Sequence, residues 1–329
     1  MIGLWLLVIC AMVFAMVVLG GFTRLTESGL SMTGWRPVTG WLPPLSLEEW
    51  QAHFDAYRNS PEYQKINAGM SLDEYKEIFW LEFLHRLWGR LIGLAFALPF
   101  AFFLVKGWLN RPLIIRLSIL LVLGGLQGVI GWWMVKSGLV DRPDVSQYRL
   151  ATHLLMAFLI IAMALWTALD LLSDKESTVS GFTRGYASLI VSVVFITVFS
   201  GALVAGLNAG MIYNTFPLMQ GELFPPEGFA IAPWYKNFFE DLATVQFQHR
   251  VLAVISALLI LGFWYAGRTL QPEWRTRANV MLGVVSLQVV MGISTLLLVV
   301  PIPLAAAHQA GAVLLLIATI WVRHGLRAT

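Results

Sequence analysis

Apolar residues run along this chain in long blocks, separated by polar segments of very unequal length. Eight blocks lie near 4–22, 80–105, 113–135, 149–172, 185–206, 245–266, 278–300 and 303–323. Each is long enough to cross a bilayer core of about 30 Å as a helix. The segments 106–112, 173–184 and 267–277 are short and hold Lys106, Arg111, Lys175, Arg184, Arg268, Arg275 and Arg277. Arg323 and Arg327 lie in the C-terminal tail, and Arg116 stands at a helix start. An excess of Lys and Arg in short loops marks the cytoplasmic side. Both termini are therefore expected inside, and the long segments 23–79 and 207–244 outside. The pattern predicts an all-α integral membrane protein of eight transmembrane helices.

The first block has neither a charged n-region nor a small-residue cleavage site, so it is expected to remain as a spanning helix. No organelle transit peptide precedes it, which points to a bacterial inner membrane. The first long loop carries "SLEE" at 46–49 and "SLDE" at 71–74, two capping-box patterns that each head an amphipathic stretch. Its aromatics Trp35, Trp41, Trp50, Phe54 and Tyr57 either lie on the membrane surface or cover a site.

Composition agrees with the pattern. Of 329 residues, 58% are hydrophobic and 12% charged, against about 25% charged in soluble domains. The net charge of +3 is small and no Lys/Arg run is present, which excludes a nucleic-acid groove. The single cysteine, Cys10, excludes an intrachain disulfide and a cysteine-based metal site.

The two halves of the chain, 1–178 and 179–329, echo each other. "GGFTRLTESGLSMTGWRPVTGWLPP" after the first block answers "SGALVAGLNAGMIYNTFPLMQGELFPP" after the fifth. "EFLHR" (82–86) answers "QFQHR" (246–250), "LQGVIG" (126–131) answers "LQVVMG" (287–292), and "LATHLL" (150–155) answers "AAAHQA" (305–310). The order and membrane sense are the same, so the repeat is parallel and predicts two four-helix bundles.

The repeat also pairs the histidines. His85, His153, His249 and His308 each fall in the first turns of an outside-to-inside block, at similar depth. A single intramembrane histidine is readily a hydrogen-bonded packing residue. Four, paired by a repeat, point to function, because ionisable groups in a bilayer are costly. His53 and His324 break the pattern and are read as solvated.

Glu82-x-x-His85 has the form used by di-iron bundles, but its counterpart is Gln246-x-x-His249, and the blocks of His153 and His308 bring no carboxylate nearby. Zinc requires three or four ligands, and each half has two. Two imidazoles from different helices suit the axial positions of a heme iron. Arg86 and Arg250, one residue past two of the histidines, are candidate partners of the heme propionates. Arg90 either snorkels or pairs with a backbone carbonyl or a carboxylate such as Glu82. The halves differ: Glu82, Arg90 and the longer loop in the first stand against Gln246, Val254 and a shorter loop in the second.

Taken together, "GGFTRLTESGLSMTGWRPVTGWLPP", "EFLHRLWGR", "ATHLLMA", "FQHR" and "AAHQ", in this order, resemble the heme A synthase family of the mitochondrial and α-proteobacterial type. The resemblance covers nearly the whole chain. It implies oxidation of the C8 methyl of heme O to the formyl of heme A for terminal oxidases, by successive hydroxylations with water as oxygen source. By motif it implies that His85 and His153 hold the substrate heme, that His249 and His308 hold a heme b cofactor, and that Glu82 is catalytic. A heme O synthase and an electron acceptor are the implied partners, beside membrane lipid. Some bacterial members carry an outer-loop cysteine pair with a proposed redox role, which this chain lacks. A diheme electron-transfer protein and a heme carrier are the competing functions.

Overall fold

The structure is a computed structural model that describes residues 1–35, 39–139, 143–173, 180–269 and 272–326. Lys175 and Arg327, used above for orientation, lie outside the described residues. Among the described residues, eight helices are long and apolar enough to span a membrane. They are α1 (Ile2–Leu25), α4 (Leu72–Val105), α5 (Arg111–Gly138), α6 (Gln147–Leu172), α7 (Gly181–Gly206), α9 (Leu242–Ala266), α10 (Pro272–Leu297) and α11 (Ile302–Gly325). The remaining α-helices, α2 (Leu47–Arg58), α3 (Pro61–Lys65) and α8 (Asn237–Glu240), belong to the two long connections. Among the described residues the only β pairing is one isolated bridge, Met219 with Glu222. The chain is an all-helical, multi-pass membrane protein.

Both capping boxes form. Ser46 accepts from the Glu49 N–H and Ser71 from the Glu74 N–H, while each glutamate side chain reaches back to its cap. Ser71 starts a helix that runs without a break into the apolar block, so α4 has 34 residues. At about 1.5 Å per residue it reaches about 51 Å, well beyond the bilayer core. Its first two turns are therefore available to pack the outer loop. Phe54 and Tyr57 of α2 bury there against Tyr75, Phe79 and Phe83 of α4. Tyr57 stacks on Tyr75 at 5.1 Å, and Trp50 meets Phe79 edge-on at 4.8 Å. Each buried aromatic contributes about 1.5–3 kcal/mol, so this loop has a core of its own. Phe54 and Tyr57 thus hold α2 to α4.

One carboxyl is enclosed in that core. Glu62 is 2% exposed and accepts from the Tyr57 hydroxyl at 3.1 Å, while Asn67 donates to the Tyr57 oxygen at 2.8 Å. Burial, opposed by the Tyr57 hydroxyl and helped by the charges of Glu82, Glu27 and Asp144, pushes the Glu62 carboxyl up to about 8.

By contacts the chain divides into two compact units, Ala11–Ile160 and Met1–Cys10 with Ile161–Thr329. In the latter, α9 and α11 each pack on both α7 and α10, closing a four-helix ring with α9 and α11 on its diagonal. The apolar core of this ring uses Ala187, Ile190 and Val194 of α7, Ile260 and Phe263 of α9, Ala278 and Met281 of α10, and Leu315 and Ala318 of α11. All lie at the end away from His249 and His308. His324, expected in solvent, is instead 2% exposed, with Nε2 2.9 Å from Asp170 Oδ1 and its ring edge-on to Trp166. It closes the core end of this unit by joining α11 to α6. His53 is partly exposed and meets Phe79 edge-on.

Candidate functional site

Each of the four repeated histidines rests on a glycine of a neighbouring helix. A Cβ added to Gly20 of α1 would lie 3.0 Å from His85 Cε1, and one on Gly131 of α5 2.9 Å from His153 Cε1. In the other unit, Gly201 of α7 and Gly292 of α10 stand 2.9 and 2.8 Å from His249 and His308 in the same way. Real Cβ contacts at such distances are rare, so each glycine is what lets the Cε1 edge of an imidazole come this close to the next helix. The paired "LQGVIG" and "LQVVMG" gain a second meaning here. Gln127 donates to the His153 carbonyl at 3.0 Å, and Gln288 to the His308 carbonyl at 2.9 Å. One turn further along each helix comes the glycine that receives the ring. The sequence repeat displayed these residues, but nothing in it assigned them to the histidines.

His85 and His153 are close enough to interact electrostatically, as are His249 and His308. All four are half-buried. Nδ1 of His153, His249 and His308 is enclosed without a hydrogen-bond partner among the described residues, and Nδ1 of His85 has Thr23 Oγ1 at 3.4 Å. No cluster of three or more His, Cys, Asp or Glu suited to a metal ion exists among the described residues. Two imidazoles on different helices suit a porphyrin iron, which brings four equatorial nitrogens of its own.

One turn before each leading histidine the two units diverge. Glu82 is 3% exposed. Its Oε2 accepts from the Ser31 hydroxyl and the Met32 N–H, both at 2.7 Å, and its Oε1 accepts from Arg86 at 2.5 Å. Tyr75 donates to the Ser31 carbonyl at 3.2 Å, tying this network to the loop core. Gln246 has the same place beside His249 but the opposite polarity. Its amide NH2 donates to the carbonyls of Ala209 and Ile212, and only its oxygen accepts, from Arg250 at 2.9 Å.

The arginines are matched atom for atom. Arg86 donates to the carbonyls of Gly34 and Met32, and Arg250 to those of Thr215 and Tyr213. Both strap a connecting segment to a helix, and both terminal nitrogens of each are engaged by the protein. The Arg86 guanidinium also lies 5.3 Å from the Trp35 ring, and that of Arg90 5.8 Å from Trp41. Arg90 donates to the Thr39 carbonyl, the backbone partner among its alternatives.

Fold and site together define a class: a multi-pass helical membrane protein with two histidine pairs of the kind that hold a heme iron. Residues 3–320 match the family model described as cytochrome oxidase assembly protein, COX15-CtaA. A protein of Nitrosospira multiformis named heme A synthase is 53% identical over 99% of this chain and 93% of its own length. Proteins of that name from Parvibaculum lavamentivorans and Agrobacterium fabrum are 51% and 48% identical, covering 99% and 96% of this chain and 94% and 87% of their own lengths. The chain belongs to the heme A synthase family, whose members bind heme.

Proposed function

We propose that this protein oxidises the C8 methyl of heme O to the formyl group of heme A, with the two histidine pairs in different roles. The observation that carries the reading is the exchange of Glu82 for Gln246 within two sites matched in their histidines, their glycines and the arginines Arg86 and Arg250. His85 and His153 hold the substrate through its iron, and His249 and His308 hold a resident heme b. Heme b, when bound there, supplies one-electron redox capacity.

Each hydroxylation adds one water oxygen to the methyl carbon and releases two electrons and two protons. Two such rounds and the loss of one water give the aldehyde. Glu82 Oε1 has one hydrogen-bond partner, Arg86, which leaves a lone pair able to take a proton. A carboxylate beside the reacting edge also stabilises positive charge developing there. Ser31, Met32 and Arg86 fix its orientation. Gln246 can do neither, which suits a site that only stores and passes electrons. The electrons leave through an acceptor partner, and a heme O synthase delivers the substrate.

Porphyrins extracted from the purified protein test this reading. Heme O, its hydroxylated form or heme A is expected beside heme b. Two heme b groups in fixed stoichiometry would instead make the chain an electron-transfer protein. The loop charges support an orientation with both termini in the cytoplasm. Export-dependent reporters should then be active when fused near Asn59 and inactive near Asn110; the reverse pattern contradicts the orientation.

A further inference from the structure

Arg149 is used by nothing described so far. It stands four residues before His153 on α6, so the two share a face one helical turn apart, and the His153 side chain leans toward it because side chains tilt to the helix N-terminus. Its guanidinium lies 4.5 Å from the Trp133 ring, and one terminal nitrogen donates to the Trp133 carbonyl at 2.6 Å. That contact anchors the side chain and leaves its other donors without partners among the described residues. At the same position relative to His308, the other unit has Leu304.

The arginine one residue past the leading histidine differs in net charge between the two sites. Arg250 is paired with a neutral amide, so its full charge stays beside His249. Arg86 is paired with Glu82, so the corresponding charge beside His85 is cancelled. A ligand with two carboxylates finds uncompensated positive charge at the second site and none from Arg86 at the first. We infer that Arg149 is a carboxylate-binding residue for the tetrapyrrole held by His85 and His153, replacing the charge that Glu82 removes from Arg86. The inference rests on the reading of that pair as the substrate heme site. Its guanidinium, held over Trp133, presents the planar fork that suits a carboxylate.

The test titrates ferric protoheme and its dimethyl ester into purified full-length protein that retains its resident heme, following the added low-spin signal. For protoheme, Arg149→Ala should weaken binding by about tenfold or more, the scale of one charge-assisted contact, and Arg149→Lys should recover part of it. The ester, which carries no carboxylate charge, should bind the parent and Arg149→Ala alike. Equal weakening for both probes would mean that Arg149 only holds α5 to α6 through Trp133, and no weakening would mean that it has no role; either overturns the inference. His85→Ala serves as the control for the site. If the added signal persists in that variant, the substrate-site reading fails and the inference falls with it.

Discussion

The sites around His85 and His249 are built to one plan and differ in one atom type. Each has an imidazole laid on a glycine, and an arginine strapping a loop by two carbonyls two residues apart. Each also has a side chain four residues before that arginine which accepts from it. Where the first unit has a carboxylate met by a hydroxyl and an N–H, the second has an amide directed at two carbonyls. The loops are thus complementary to their own residue, donors around Glu82 and acceptors around Gln246. This teaches that Glu and Gln are not interchangeable here, although the sequences align and the side chains have nearly the same shape.

The largest expected effect comes from exchanging them. Glu82→Gln turns an NH2 toward the Met32 N–H, which cannot accept, so the loop should lose about 1–3 kcal/mol. If Glu82 also takes the proton, heme O conversion should fall by about 10²–10⁴-fold. Ser31→Ala separates the two contributions, because it loosens the same contact and keeps the carboxylate. Turnover in Ser31→Ala near that of the parent, per bound heme O, supports the catalytic role; a collapse as deep as that of Glu82→Gln assigns the effect to loop order. In the mirror experiment, Gln246→Glu faces two carbonyls with a third acceptor and should lower heme b retention while leaving the first site able to bind.

Much of this fold was legible in the residues. The eight apolar blocks and both capping boxes have local signals, and each appears as a helix or a cap. What was hidden depends on distant partners. The α4 start at Leu72 was obscured because its first two turns are amphipathic and only later turns are apolar, so the pattern changes within one helix. His324 looks like a tail residue until Asp170, far away in sequence, is found beside it. The polarity around Glu82 and Gln246 comes from loop backbone groups, which have no signature in residue type. Two of the three groups that Arg86 meets, the carbonyls of Met32 and Gly34, lie in a connection that sequence leaves without a shape.

A smaller effect distinguishes the loops themselves. Only the first has a buried carboxyl, Glu62, raised to about 8. Its folded state holds a proton that the unfolded segment releases near the usual glutamate value, about 4.3. The stabilisation is therefore complete below that value and is lost as pH rises through about 8, at a slope near 1.4 kcal/mol per pH unit in between. Protease nicking or amide exchange in 47–66 should increase from pH 6 to 9, and Glu62→Gln should flatten the trend. A rise just as steep in that variant would place the pH dependence elsewhere.

The central claim is that one histidine pair holds what is changed and the other what is kept. Hemes extracted from purified His85→Ala and His308→Ala test it most directly. The account predicts that His85→Ala keeps heme b and loses heme O and its oxidised products. His308→Ala should lose heme b and its low-spin spectrum while heme O can still be bound. Loss of heme b from His85→Ala, with heme b retained in His308→Ala, would contradict the account by reversing the two sites.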